Sequence, residues 1–413
     1  MTESVEAGGN QTAGMDFVGL APFLRMSIAG EDFQPQTREM LAAAQIAEND
    51  ANLWMNLATA LLCLNEHKLG LAAQAQAIGM HRTYFLPALQ QPAAVRVLVL
   101  CMAGDLSANA PIDCLLENMD VDLYFHYVSP HTLLDCPLPE HDAVFVAISA
   151  SDESAPLFGP LAAALADWPK PVINLPQCVP TTERRSASLL LQDAPGLEIC
   201  QAHRVDRATL ESLVAGEQSL EDLLPGHAFP VIIRPVGSHG GRGLDRLDTL
   251  QAIPAYLAVE SDEEFFVSRY VDYRNADGLF RKYRVALVDG IAYACHMAVS
   301  SHWMVHYVNA EMYESQQRRA EEAQFFEYFD AFARRHEAAF AAISERTGLD
   351  YVGIDCSETQ DGRLLVFEID HAMVVHAMDS EELFPHKQVH MQKVRDAFRR
   401  MLLQRVAQAL EPV

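Results

Sequence analysis

The sequence predicts a mixed α/β and α+β chain: an N-terminal helical hairpin, a parallel α/β domain, and a C-terminal part of two α+β subdomains. Three observations predict it. Apolar residues recur at helical spacing through residues 36–79, short apolar runs alternate with loops and amphipathic helices after Pro92, and strands joined by Asp-Gly pairs mix with helices beyond Val179. A length of 413 residues is too great for one ordinary domain.

In residues 1–91 the helical stripe reads Met40, Leu41, Ala44, then Leu53, Leu57, Leu61, Leu62, then Leu69, Leu71, Ala72 and Ala75. Trp54, Leu57, Ala58 and Leu61, followed by a turn near residues 65–67, resemble one tetratricopeptide repeat. A single repeat cannot bury its own face, so this segment is expected to cap the next domain or a second subunit, the latter giving a homodimer. A dedicated partner-recruiting array is the alternative. Disorder is expected only at the ends, chiefly in residues 1–14.

Residues 92–180 supply apolar runs at 96–102, 122–128, 143–148 and 172–174, the alternation of a parallel sheet with helices on both faces. The first run ends in a small polar loop, residues 104–109, at the sheet edge where ligands bind in open α/β folds. No GxGxxG follows a strand here, which argues against a dinucleotide fingerprint.

Residues 181–413 read as a central subdomain to about 270 and a C-terminal subdomain beyond it. Strands are expected at 197–200, 231–234, 265–271, 283–288, 291–299, 351–355 and 364–370, and helices at 208–215, 321–346 and 387–410. The Asp289-Gly290 and Asp361-Gly362 pairs mark hairpins.

Composition narrows the function. Half of the residues are hydrophobic and 21% are charged, as in a soluble globular enzyme. A net charge of -26 argues against gripping a nucleic-acid backbone, so any phosphate site must gather its cations locally. The eight cysteines have no CxxC spacing and read as reduced, buried thiols. No signal sequence and no long apolar run is seen, so a cytoplasmic protein without membrane partners is expected.

Four features carry chemistry. A strand delivers Arg234 into the loop Gly237, Ser238, His239, Gly240, Gly241, Arg242, Gly243, whose backbone N–H groups could close over phosphate oxygens. The run Ser268, Arg269, Tyr270, Val271 leads to Asp272, able to offer backbone groups to an adenine and a carboxylate to a ribose. Arg284 begins a strand, where its fork could clamp a carboxylate or phosphate, and His296, His302, Trp303, His306 and Asn309 follow. His302 or His306 could serve as a base, and their spacing lacks the HExxH of a zinc site. Last, Glu368 and Asp370 lie two apart on a strand and face the same way, with Asp355 opposite on the partner strand. Three such acids repel one another unless a cation sits among them, and hard oxygen ligands select Mg²⁺.

In this order the features resemble the ATP-grasp superfamily, nearest to its glutathione-synthetase and ribosomal-protein glutamate-ligase type. Residues 96–179 look like the domain that precedes it in that family. ThrGluArgArg (182–185), LysTyrArg (282–284), HisTrpMetValHisTyr (302–307) and ValValHisAlaMetAsp (374–379) resemble a subgroup with a tetratricopeptide-like N-terminus. The resemblance implies Mg-ATP between the two subdomains, with Arg234 and Arg184 at the positions of phosphate- and nucleotide-binding basic residues. It places Ser268 to Val271 at the adenine hinge, Arg284 on the phosphoryl group in transit, and Asp355, Glu368 and Asp370 as Mg²⁺ ligands. The departures are arginine for lysine at 184 and 234, Ser268-Arg269 where an acid is common, and no Lys or Arg from 296 to 306.

The expected activity is ATP-dependent joining of a small-molecule or peptide carboxylate to an amine through an acylphosphate. A kinase using the same nucleotide site and a non-catalytic nucleotide-binding module are the alternatives.

Overall fold

A computed structural model describes residues 15–238, 240–306 and 310–410. The expected disorder of residues 1–14 concerns residues outside this set. Four helices open the described chain: α1 (Ala21–Ile28), α2 (Gln34–Ile46), α3 (Ala51–Cys63) and α4 (His67–Met80). Asp50 caps α3 by accepting the Leu53 N–H at 3.0 Å. Here the sequence reading missed α1, which is tied down because the buried Asp113 carboxylate accepts the Leu20 and Ala21 N–H groups.

These helices cover a sheet of β1 (Thr83–Leu86), β2 (Val95–Cys101), β3 (Val121–Tyr127), β4 (Ala143–Val146) and β5 (Val172–Ile173), flanked by α5 (Ile112–Leu115) and α6 (Ala155–Leu165). Strand order is β1-β3-β2-β4-β5, with the four later strands parallel as expected. The unexpected β1 adds an antiparallel edge, so a strand from residues 1–91 belongs to the sheet of the next segment. Met55, Ala77 and Phe17 enter the same apolar cluster as Val97, Val99 and Phe125, which seats the helices on this sheet.

A second sheet holds β7 (His203–Asp206), β8 (Val231–Pro235), β9 (Asp245–Leu247) and β10 (Glu264–Arg269), ordered β7-β10-β8-β9 and backed by α8 (Arg207–Ala215), α9 (Leu220–Leu223) and α10 (Ile253–Val259). The charged edge strands β7 and β9 were illegible as strands because their burial comes from pairing, not from an apolar run.

The third sheet is β12-β11-β13-β14-β6, made of β6 (Leu197–Ile199), β11 (Phe280–Val288), β12 (Ile291–Ser300), β13 (Tyr351–Glu358) and β14 (Leu364–Asp370). β6 pairs with β14 in parallel, carrying residues 197–199 out of the central segment and into this sheet. Asp289 and Gly290 both adopt positive φ, +52° and +74°, as a tight hairpin turn between β11 and β12 requires.

Preceding β6 is α7 (Arg184–Leu191). The expected helix over 321–346 is instead α11 (Gln316–Glu327), α12 (Phe329–Arg335) and α13 (Glu337–Thr347). The breaks at Tyr328 and His336 let Phe326, Phe329, Phe332 and Phe340 all reach one core, and the buried His336 ring meets Glu358 Oε1 at 2.8 Å.

The final helix, α14 (Lys387–Leu410), buries Met391, Val394, Phe398, Met401 and Leu402 at helical spacing. Phe398 packs edge-on against Phe145 of the first sheet and Tyr351 of the third, at 5.7 and 5.1 Å between ring centres. Asn174 ties the same two sheets, donating to the Tyr351 carbonyl and accepting its N–H, both at 2.9 Å.

Candidate active site

One face of the third sheet changes character along its length. Ala286, Val288 and Tyr351 on that face pack in the core containing α14, while Lys282, Arg284 and Asp355 continue the same alternation beyond it. Plain alternation from Leu364 and Val366, which point into the opposite core, would send Glu368 and Asp370 there as well. An irregularity in the β13–β14 register breaks that alternation: Cys356 pairs with Val366, and Asp355 with Glu368. The extra residue turns Glu368 and Asp370 onto the face of Asp355, a use of a β-bulge that places charge where apolar packing ends.

Asp355, 3% exposed, lies directly across from both Arg284 and Glu368. Arg284 grips it with two bonds, Nε to Oδ1 at 2.7 Å and Nη2 to Oδ2 at 3.0 Å, and donates from Nη1 to the Val374 carbonyl at 3.0 Å. Lys282 Nζ also reaches Asp355 Oδ2, at 2.6 Å. Glu368 is met from α7: Arg184 donates to its Oε1 at 2.7 Å and to the Phe367 carbonyl at 3.2 Å. The ThrGluArgArg motif builds that contact. Glu183 caps α7 by accepting the Arg185 and Ser186 N–H groups, which fixes Arg184 in the first helical turn.

Arg234 ends β8 and is 9% exposed. Its Nε donates to Ser238 Oγ at 3.0 Å and its Nη2 to the Ser238 carbonyl, while Ser238 Oγ donates to the Pro235 carbonyl at 2.8 Å. Ser238 thus folds the glycine loop back onto the guanidinium. Gly240, Gly241 and Gly243 have φ of +61°, +80° and +62°. At Gly243 a Cβ would also lie 2.6 Å from the Pro235 ring, so glycine is demanded twice.

The electrostatics follow from this gathering. Burial opposes ionisation of Asp355, yet Arg284 and Lys282 hold its carboxyl well below the usual range. Glu368 is likewise buried against its charge but held down by Arg184 and Arg234. Asp370 goes the other way, to about 7, raised by burial and by the charge of Glu368 despite the N–H it accepts from Ala372. Burial and then the charge of Arg184 bring Arg234 down to about 10, so it stays cationic at neutral pH. Arg184, Arg234, Lys282 and Arg284 therefore outnumber Asp355, Glu368 and Asp370 within a strongly acidic chain. The repulsion that the sequence reading relieves with a metal ion is relieved here by arginine and lysine. Among the described residues no three His, Cys, Asp or Glu side chains converge as a metal site would need.

The other expected residues are spread around this centre. His306 lies within the field of Lys282 and Arg284, its imidazole lowered first by desolvation and then by those charges. His302 is exposed, its N–H donating to Ser300 Oγ at 3.1 Å, and Asn309 lies outside the described residues. Ser268 sits in β10 opposite Ile232. Arg269 turns to the buried Glu198 of β6, which also meets Arg363, so its charge is committed to a contact with the third sheet. Tyr270 lies under Arg246, 4.9 Å from its ring centre, and edge-on to Trp303. Val271 packs with Tyr273 and Phe280, and Asp272 is engaged by Arg274 Nε at 2.9 and 3.1 Å. Sequence reasoning missed Lys282 as a site residue. The signal was present, because strand alternation from Arg284 puts Lys282 on the same face.

No family model matches the chain, and no curated relative matches it. Among solved structures it is similar to a D-alanine–D-alanine ligase from Bacillus anthracis complexed with ATP, at 15% identity over 78% of this chain and 100% of that one, with a TM-score of 0.44. The VanG D-Ala:D-Ser ligase from Enterococcus faecalis matches at 14% identity over 76% of this chain and 99% of its own, with a TM-score of 0.45. The D-alanine–D-alanine ligase from Coxiella burnetii matches at 13% identity over 76% of this chain and 96% of its own, with a TM-score of 0.46. D-alanine–D-alanine ligases belong to the ATP-grasp superfamily.

Proposed function

We propose that the chain is an ATP-dependent carboxylate–amine ligase that phosphorylates a carboxylate and passes the acyl group to an amine, releasing ADP and phosphate. The observation that carries this reading is the single charged face of β11, β13 and β14, with Arg184 bonded to it from α7 and the charge of Arg234 reaching it from β8. Phosphoryl transfer asks a protein mainly for positioning and for cations around the transferred group, and this face offers both.

Arg234 and the glycine loop would hold the phosphates, the loop's N–H groups closing over them as its four positive-φ glycines allow. Arg284 would orient the γ-phosphoryl group and the carboxylate in line. His306, kept neutral beside Lys282 and Arg284, is suited to take a proton from the incoming ammonium. Once their ion pairs open, the acids would suit magnesium: Asp355 and Glu368 are paired in register, Asp370 lies one step on, and the carboxyl of Asp370 is raised to about 7 where a cation would lower it. Bound there, Mg²⁺ would supply charge neutralisation for the phosphates.

The reading is tested by screening amino acids and short peptides for ADP release with hydroxylamine as surrogate amine. Hydroxamate formed in step with ADP and phosphate supports it. A stable phosphorylated product without phosphate release would mark a kinase and overturn it.

A further inference from the structure

Lys282 is conspicuous in a chain that otherwise builds this cleft from arginine. The lysines are Lys68, Lys170, Lys282, Lys387 and Lys393. Arg284 alone covers both oxygens of Asp355, so the Lys282 contact at 2.6 Å adds a second cation to one acid. Arg184, by contrast, meets Glu368 one to one. The charge left over at the β11 side of the cleft is therefore positive, and it is carried by Lys282.

Its strand is set apart from the glycine-loop and Arg184 side of the site, although its charge still reaches Glu368. Arg184 meets the sheet at β14, and β11 lies two strands away, about 10 Å at ordinary strand spacing. On the β11 flank the neighbours are His296, paired with Arg284 across β12, and His306, and Asp355 is the acid whose charge both imidazoles feel. An ammonium on a flexible stem can leave Asp355 for another carboxylate without moving the strand, and the exchange replaces one anion by another of the same charge.

We propose that the β11–β12 flank is the subsite for the carboxylate substrate and that Lys282 holds that carboxylate by swinging to it from Asp355. The proposal rests on the ligase reading for its role in a reaction, but its binding step can be tested alone. Reductive methylation with ¹³C-formaldehyde gives each lysine a resonance, and the signal lost in Lys282→Arg identifies Lys282. Acetate, succinate and citrate are titrated in turn. The Lys282 signal is expected to move saturably with at least one of them while those of the exposed Lys68 and Lys393 do not. Calorimetry of the same carboxylate should show a loss of about tenfold or more in Lys282→Met, the effect of removing one charge-assisted hydrogen bond, and recovery of most of it in Lys282→Arg. A Lys282 signal that stays still, or moves in step with Lys68 and Lys393, overturns the proposal. So does a Lys282→Met protein that loses Mg-ATP affinity as much as carboxylate affinity, since Lys282 would then belong to the nucleotide cradle. A wild-type protein that binds carboxylate through Lys282 but no Mg-ATP would sink the ligase reading and leave the subsite standing.

Discussion

Two buried ionic clusters in this chain have opposite arithmetic. In one, a single cation, Lys387, is shared by two acids, Glu322 at 3.2 Å and Asp379 at 3.0 Å. In the other, a single acid, Asp355, is shared by two cations, Lys282 and Arg284. The first is closed. Glu322 also accepts the Met297 N–H and meets His386, Asp379 accepts the Tyr313 hydroxyl at 2.9 Å, and Lys387 lies over the Phe384 ring. It pins the segment after β14, including the ValValHisAlaMetAsp motif, to α11 and β12. The second lies on the charged face of β11 and β13 and carries one charge more than its acid needs. The difference separates ions that hold the fold from ions that can change partners, although both pairs are short and both are buried.

The largest expected effect tests that contrast directly. Lys387→Met strands two buried carboxylates and should cost about 3–5 kcal/mol in urea unfolding. Lys282→Met leaves Asp355 with Arg284 and should cost no more than about 1 kcal/mol. Equal losses would break the comparison.

Next comes the glycine loop. Ser238→Ala removes both the acceptor of Arg234 Nε and the tie to the Pro235 carbonyl, a loss of about 1.5–3 kcal/mol for a buried bond to a charged group. Gly243→Ala should cost about 1–2 kcal/mol, from its positive φ and the Pro235 ring, and should loosen nucleotide binding as well. If Gly243→Ala binds nucleotide as wild type does, the loop is not the phosphate cradle.

How much of this was legible in advance differs between the two clusters. That Asp355, Glu368 and Asp370 matter, and that Glu368 and Asp370 share a face, could be read from the sequence, because acids among Val352, Ile354, Val366 and Ile369 have no apolar reason to be there. The bulge that turns Glu368 and Asp370 to the cleft was not legible, since it depends on pairing between strands and not on either strand alone. The closed cluster was invisible for a similar reason: Glu322, Asp379 and Lys387 come from three separate segments whose meeting is a tertiary fact. The run from Ser268 to Val271 was read for its backbone groups and Asp272 for its carboxylate, whereas the side-chain pairs Arg269–Glu198 and Arg274–Asp272 join residues that neither strand pattern nor spacing links.

A smaller effect sharpens the comparison through pH. Burial lowers the His376 imidazole to about 4, and its Nδ1 accepts the Met378 N–H at 3.1 Å, which requires the neutral form. Because the folded value lies below the unfolded one, the unfolded chain takes up the proton first. The contribution of His376 to stability should therefore be constant above about 6.5 and fall between 6.5 and 4, with a slope of less than about 1.4 kcal/mol per pH unit, against the opposite trend from the raised carboxyl of Asp370. Between pH 7 and 4 the melting temperature of wild type should fall relative to that of His376→Phe, a difference that cancels the contribution of Asp370. An identical pH dependence in both would remove His376 from the account.

The central claim is that the charged face of β11, β13 and β14, with Glu368 on it, serves a nucleotide and its metal. Calorimetric titration of ATP with and without Mg²⁺ into wild type and Glu368→Gln tests it most directly. Wild type should bind ATP more tightly with Mg²⁺, and Glu368→Gln should lose that increment. A wild-type protein that binds no nucleotide, or a Glu368→Gln protein with an unchanged Mg²⁺ dependence, would contradict it.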